Sequence, residues 1–265
     1  MKSRRNFITI TAGGLIHLTT QPLFGLDRET SDVDLLLHRA KERGHTDLGW
    51  LKSYHSFSFG RYQDPEKMNF RDLYVINDDR LSAKSGFPTH GHQNMEILSY
   101  VLEGELEHKD NTGVGSIITP DEIQYMAAGS GIKHSEFNPS QDQGNHFLQI
   151  WITPAAKGVK PRYAQETVER GAIDGRLALL AGPDKRHDAI QINQDAKMYS
   201  ARLNGNQQVR HIVEQGRHAW IQVAKGSLVV NGEQIHQGDA IAVSKQTELV
   251  MEQGHHAELL LFDLC

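Results

Sequence analysis

Short apolar runs separated by turn-forming residues recur from residue 31 to the end of the chain, and they constrain its fold more than any other feature. The runs are rich in β-branched and aromatic residues, and glycine, asparagine, aspartate or proline stands between them. Representative runs are EILSYVLEG, IQYMAAG, HFLQIWI and AELLLFDL. This spacing is typical of antiparallel strands in sandwiches and barrels. We therefore predict an all-β fold.

A faint internal repeat indicates that the strands form two barrels. SYVLEGELEH around Gly104 aligns with IQVAKGSLVV around Gly226, and NHFLQIWI aligns with AELLLFDL. Two copies of one unit are expected to fold as two similar modules. We predict an N-terminal barrel over residues 31–160, followed by a connection and a C-terminal barrel over residues 161–265.

Charge and cysteine content exclude two kinds of protein. The formal net charge is −5, and acidic and basic residues are interleaved without a long basic run. Such a chain does not attract nucleic acid electrostatically, so we expect no nucleic-acid partner. The only cysteine is Cys265, which rules out an intramolecular disulfide.

The first 30 residues are typical of an export signal. SRRNFI resembles the twin-arginine motif, in which a serine and two arginines precede a phenylalanine and an aliphatic residue. The apolar run from Phe7 to Leu18 is too short to span a bilayer comfortably, so we expect no membrane span in the mature form. We predict a twin-arginine signal over residues 1–30 and a periplasmic location, with the cytoplasm as the alternative.

Two pairs of polar residues indicate a metal site. His90 and His92 form one i, i+2 pair, and His134 and Glu136 form another. In an extended strand the members of such a pair project from the same face, so each pair can supply two ligands. Three imidazoles and one carboxylate suit Fe(II), Mn(II), Co(II), Ni(II), Cu(II) or Zn(II).

The repeat provides an internal control for this interpretation. If the fold itself needed these polar residues, both copies would carry them. Counting from the aligned segments, the residues of the second copy that correspond to His90, His92, His134 and Glu136 are Ile212, Glu214, Met251 and Gln253. The cluster is therefore confined to the first copy, which favours a site over a structural requirement.

Spacing alone leaves two questions open. Glu96 follows His92 by four residues, which resembles the first motif of the cupin superfamily, where that glutamate is often a ligand. Glu96 and Glu136 therefore compete for the role of carboxylate ligand. Four ligands could also close a structural zinc site, but a chain this large and apolar does not need a metal for stability. We favour an open site with positions left for a substrate.

Longer motifs resemble the pirin family from about Asp34 to the C-terminus. The matching segments include RGHTDLGWLKSYHSFSFG, HGHQNMEILSYVLEGELEHKDNTG, AAGSGIKHSEFNPS and HFLQIWITP. The resemblance implies a bicupin, in which two antiparallel jelly-roll β-barrels pack face to face and the first holds a single metal. The ligands that it implies are His90, His92, His134 and Glu136. Glu96 then becomes a neighbour with a supporting role at most.

The same resemblance implies a function. Pirins include quercetin 2,3-dioxygenases, which cleave a flavonol ring with O2, and nuclear proteins that act as transcriptional co-regulators. We expect a monomeric enzyme that binds one divalent metal, first of all Fe(II), and acts on a flavonol and O2. Glu136 would be the catalytic residue that takes the hydroxyl proton of the flavonol. The alternatives are a metal- or redox-sensing protein that acts through a protein partner, and a degenerate cupin with a structural metal.

Overall fold

The computed structural model describes residues 35–186 and 188–265, and the predicted export signal lies outside them. Strands dominate this part of the chain, which otherwise has a single turn of 3-10 helix at Ala40–Glu42 and a short helix α1 at Arg170–Ile173. The strands before this helix are β1 (Leu35–His38), β2 (Gly44–Asp47), β3 (Leu51–His55), β4 (Leu73–Leu81), β5 (Gly86–His92), β6 (Glu96–Glu103), β7 (Leu106–Asp110), β8 (Gly115–Ile118), β9 (Glu122–Ala127), β10 (Ile132–Phe137), β11 (Asn145–Ile152) and β12 (Arg162–Thr167). The strands after it are β13 (Ala178–Gly182), β14 (Ile190–Gln191), β15 (Ala196–Leu203), β16 (Gln208–Val213), β17 (His218–Val230), β18 (Glu233–His236), β19 (Ala240–Val243) and β20 (Thr247–Leu264).

The first barrel is formed by two antiparallel sheets. Seven strands lie in the order β12-β9-β6-β11-β4-β3-β2, and four lie in the order β5-β10-β7-β8. Val101 and Phe147 of the larger sheet share a buried cluster with Leu106 and Ile118 of the smaller one. The two sheets therefore enclose a common interior.

The second barrel is built from a nine-stranded sheet in the order β1-β19-β17-β20-β15-β13-β14, with β16 paired to β20 and β18 to β17. Its interior is apolar and includes Val223, Leu249, Met251 and Leu259. The first described strand, β1, pairs with β19 and so lies in this second sheet. The domain boundaries at residues 30 and 160 stay predictions.

The two barrels pack against each other through the face of each large sheet. Leu98 and Tyr100 on β6 belong to one buried cluster with Trp220 and Phe262 of the second barrel. Strand β6 is thus buried on both faces, which explains why its sequence is an almost continuous apolar run. The predicted all-β bicupin, with two antiparallel barrels face to face, is confirmed.

The repeat holds for strands but not at the residue level. Gly104 follows the end of β6 and Gly226 lies within β17, and both have left-handed backbone, at φ 71° and 66°, where a side chain would clash with neighbouring atoms. The pairing of β16 with β20 repeats that of β5 with β10. The alignment of His90 with Ile212 is nevertheless wrong, because Ile212 is 56% exposed while Val209 and Val213 point inward. A shift by an odd number of residues moves a side chain to the other face of a strand.

Candidate metal centre

Three histidines meet where β5 and β10 pair inside the first barrel. His90 lies directly opposite His134 in the register, and His92 projects from the same face of β5 as His90. The ring centroids are 4.5 Å apart for His90 and His134, 4.8 Å for His90 and His92, and 4.9 Å for His92 and His134. The donor nitrogens of the three rings all lie within 4.8 Å of one another. This is the convergence that a metal ion needs.

The electrostatics of these rings suit a metal ligand. Burial, together with a smaller effect of the neighbouring imidazoles, lowers the pKa of His92 to about 4 and that of His134 to about 3. Both rings are therefore neutral at physiological pH, the form in which imidazole binds a metal. His90 Nδ1 donates to the Pro88 carbonyl at 2.9 Å, and His90 Nε2 lies on the other side of the ring, 3.1 Å from His134 Nε2. The residues present fit a bound transition metal.

Glu136 lies beside this cluster, in a group of its own with His134 and His108. Its two carboxylate oxygens accept hydrogen bonds from Gln149 Nε2 at 3.0 and 2.9 Å. Ser99 Oγ in turn donates to Gln149 Oε1 at 2.8 Å, which fixes the orientation of that amide. The four predicted residues and His108 thus form two overlapping donor groups that share His134.

A row of polar residues inside the barrel supports the cluster. The members lie at one level on five adjacent strands, and all are buried. They are His55 on β3, Asn77 on β4, Gln149 on β11, Ser99 on β6 and Gln124 on β9. Sequence reasoning missed this row and also His108, which is fully buried beside His134. The sequence feature that could have predicted these residues is a single polar residue within an otherwise apolar strand, as in FLQIW and IQYM.

A cavity of about 740 Å³ opens onto the cluster. His90, His92 and Glu136 form part of its wall. Its aromatic lining consists of Phe59, Tyr62, Phe87 and Trp151. A space of this size with apolar walls and a few polar groups is typical of small-molecule sites.

A second buried carboxyl lies on the wall of the same cavity. Asp79 is 2% exposed, and its Oδ1 has no hydrogen-bond partner among the described residues. Burial raises the pKa of Asp79 to about 7, although a hydrogen bond from Ser53 opposes the shift. Asp79 is therefore partly protonated near neutral pH.

Glu96 does not contact the histidines. It is buried at the start of β6, next to Ile97, which points into the first barrel. Its carboxylate accepts the backbone N–H groups of Asn193 at 2.7 Å and Gln194 at 2.9 Å, together with the Tyr125 hydroxyl. Glu96 thus binds the connection between the barrels. The sequence predicts a supporting role near the metal at most for Glu96, and its hydrogen bonds to Asn193 and Gln194 assign it to the connection instead.

Among the described residues, no helix is long and apolar enough to cross a membrane. Two barrels of cupin type, with a cluster of histidines inside the first, define the class of protein. A family model described as pirin matches residues 37–152, and one described as the quercetinase C-terminal cupin domain matches residues 179–264.

Known proteins resemble the chain over most of its length. Quercetin 2,3-dioxygenase of Escherichia coli strain K12 is 42% identical over 230 residues, which cover 87% of this chain and 98% of that protein. A pirin-like protein of Caulobacter vibrioides is 34% identical over 83% of this chain and 95% of its own length. The crystal structure of the bacterial pirin YhhW from Escherichia coli in complex with nickel(II) superposes with a TM-score of 0.82, at 42% identity, over 87% of this chain and 98% of that one. The chain belongs to the pirin family.

Proposed function

We propose that this chain is a metal-dependent dioxygenase that acts on flavonols such as quercetin with O2. The observation that carries the proposal is the aromatic-lined cavity of about 740 Å³ that reaches His90, His92 and Glu136. A purely structural metal site would be closed to such a cavity. The name of the Escherichia coli relative, quercetin 2,3-dioxygenase, supports the same reaction.

The proposed metal ligands are His90, His92, His134 and Glu136. The three imidazoles would hold a divalent transition metal, for which Fe(II) is the first candidate and Zn(II), Mn(II), Co(II), Ni(II) and Cu(II) are the others. The nickel(II) in the solved Escherichia coli pirin shows that a close relative binds a metal of this group. When bound, the metal supplies Lewis-acid chemistry that lowers the pKa of a coordinating hydroxyl.

The residues that line the cavity indicate what the protein would contribute to the proposed reaction. Phe59, Tyr62 and Trp151 offer ring faces and edges that can orient a planar aromatic substrate. Glu136 would accept the proton of the flavonol hydroxyl. Gln149 would hold that carboxylate in place through its two hydrogen bonds.

Metal depletion and reloading test the proposal. The chain is stripped with a chelator and reloaded separately with each of the six metals, and O2 consumption is measured with quercetin. At least one metal is expected to restore turnover, and the chelated protein is expected to be inactive. If no metal restores turnover to a protein that demonstrably binds it, the dioxygenase proposal is wrong and a metal-sensing protein becomes the better hypothesis.

A further inference from the structure

A buried series of hydrogen-bonding groups, made of two histidine rings and a carboxylate, leads from His134 into the protein. His134 Nδ1 lies 3.3 Å from His108 Nδ1, and His108 Nε2 lies 3.2 Å from Asp110 Oδ2. The side chains of His108 and Asp110 are both 0% exposed. The Tyr163 ring covers His108 at a centroid distance of 5.0 Å. The proposed reaction gives no role to His108 or Asp110.

Asp110 is the last group in this series, and it is held in place as a hydrogen-bond acceptor. Its Oδ1 accepts hydrogen bonds from Thr112 N at 2.8 Å, Thr112 Oγ1 at 2.6 Å and Val114 N at 3.2 Å. Burial by itself would raise the pKa of Asp110, but the hydrogen bonds from Thr112, His108 and Val114 outweigh it and lower the pKa. Its Oδ2 is therefore an unprotonated oxygen that faces His108.

This acceptor determines where the ring hydrogens lie. Because a carboxylate oxygen can only accept, His108 Nε2 must donate, and Nδ1 is left to accept from the donors that face it. Gln124 Nε2 approaches that nitrogen at 3.1 Å as a donor. His134 Nδ1 faces it as well and must carry the hydrogen of its own ring. His134 Nε2 is consequently bare and points towards His90 Nε2, 3.1 Å away.

We propose that Asp110 and His108 are positioning residues that hold His134 in the tautomer whose Nε2 faces the metal. Partners that orient a ligating histidine from behind commonly set its tautomer and affinity. Here an additional imidazole stands between the carboxylate and the ligand. The inference rests on the proposed metal site and is independent of the substrate.

The substitution Asp110→Asn tests the inference with almost no change of shape. Thr112 and Val114 require an acceptor at the Oδ1 position, so the amide nitrogen takes the place of Oδ2 and donates to His108 Nε2. The hydrogen of His108 then moves to Nδ1, and that of His134 moves to Nε2, where it blocks the metal. The affinity for Zn(II) alone, measured by competition with a chromogenic chelator, is expected to fall by about tenfold or more.

A second variant and a spectroscopic measurement separate this effect from misfolding. His108→Phe keeps a ring but removes the acceptor, and it is also expected to lower the Zn(II) affinity. Long-range ¹H–¹⁵N NMR of the Zn(II)-loaded native chain is expected to show hydrogen on His134 Nδ1 and on His108 Nε2. Thermal unfolding of each metal-free variant verifies that it is folded.

The second barrel offers a matched control. His211 Nε2 contacts Asp263 Oδ2 at 3.1 Å, a pair of similar geometry whose ring lies outside both donor groups. His211→Phe should leave the Zn(II) affinity within about twofold of the native value. Folded Asp110→Asn and His108→Phe chains that bind Zn(II) as tightly as the native chain would overturn the inference, as would NMR that places the hydrogen of His134 on Nε2 or two hydrogens on His108. A native chain that binds no metal would overturn both the site and the inference, whereas binding without flavonol turnover would contradict only the proposed reaction.

Discussion

Buried carboxylates in the first barrel differ in the groups that their negative charge can bind. Glu136 on β10 and Glu96 on β6 are both buried carboxylates of the first barrel with several hydrogen bonds. Gln149 holds Glu136 beside the histidines, whereas the backbone of Asn193 and Gln194 holds Glu96 at the connection. The partner, rather than the residue type, therefore decides which carboxylate can serve a metal.

Glu136→Gln is expected to weaken metal binding by about tenfold or more and to lower flavonol turnover by about a hundredfold or more. The amide keeps the shape of the side chain, but it has no negative charge to attract the metal and cannot accept the proton of the flavonol. Metal titration and O2 consumption measure the two effects. Glu166→Gln, which neutralises an exposed carboxylate on β12, is the control and should change neither. Native-like metal affinity and turnover in Glu136→Gln would contradict its assignment.

Asp79 makes stability depend on pH. Its pKa is about 7 in the folded chain, above the ordinary value of 3.8, so the folded state binds its proton more tightly than the unfolded state does. The stabilisation is complete below pH about 4 and is lost as the pH rises through 7, with a total on the order of a few kcal/mol. Urea unfolding at pH 5 and pH 8 should show this loss in the native chain and not in Asp79→Asn. Comparing the two chains cancels the opposite contribution of His92 and His134, whose lowered pKa values favour the folded state at higher pH. Equal pH dependence in both chains would contradict the prediction.

At the scale of strands, β6 combines two functions because it is buried on both faces. Ser99 and Val101 point into the first barrel, while Leu98 and Tyr100 pack against the second barrel. Alternation along one strand therefore connects the support of the candidate metal site with the interface between the barrels. Glu96, at the start of the strand, is on the side of the interface.

Glu96→Gln is accordingly expected to lower the free energy of unfolding by about 1–3 kcal/mol, because charge-assisted hydrogen bonds to two backbone N–H groups are weakened. The affinity for Zn(II) should stay close to the native value. Chemical denaturation and metal titration of the same preparation measure both. A folded Glu96→Gln chain that loses its metal would restore Glu96 as a ligand.

At the scale of the whole molecule, an ionic link reinforces the apolar interface between the barrels. Arg202 of β15 donates to Glu258 at 2.9 Å and to Asp121, in the turn before β9, at 2.8 Å. The Tyr100 hydroxyl of the first barrel donates to the same Glu258 at 2.6 Å. The two barrels thus share a buried carboxylate, which ties their relative position to its partners.

Arg202→Met is expected to lower the free energy of unfolding by roughly 2 kcal/mol or more, since it leaves the buried Glu258 carboxylate without its cation. Arg210→Met is the matched control, because the Arg210–Glu248 pair lies on the surface, and its loss should cost about 0–1 kcal/mol. Urea denaturation measures both. Equal losses in the two variants would show that the link contributes no more than a surface ion pair.

Local pattern in the chain was sufficient to predict the strands and the two-barrel repeat. It was also sufficient to place His90 with His92, and His134 with Glu136, on one face of a strand. A period of two residues places both members of such a pair on one face whatever surrounds the strand. The resemblance to pirins added the arrangement of the barrels. The export signal, the periplasmic location and the monomeric state stay predictions.

Other features arise only when the strands pair. Strand β6 is apolar on both faces, so its alternation is hidden and the side on which Glu96 lies could not be read from the sequence. His108 and Gln149 come from different strands and reach the site through the register of the sheets. Register depends on contacts between residues that are far apart in the chain, and a shift of one position reverses the faces. The sequence by itself therefore determined the strands and the two i, i+2 pairs, whereas the tertiary structure decided which buried polar groups lie beside those pairs.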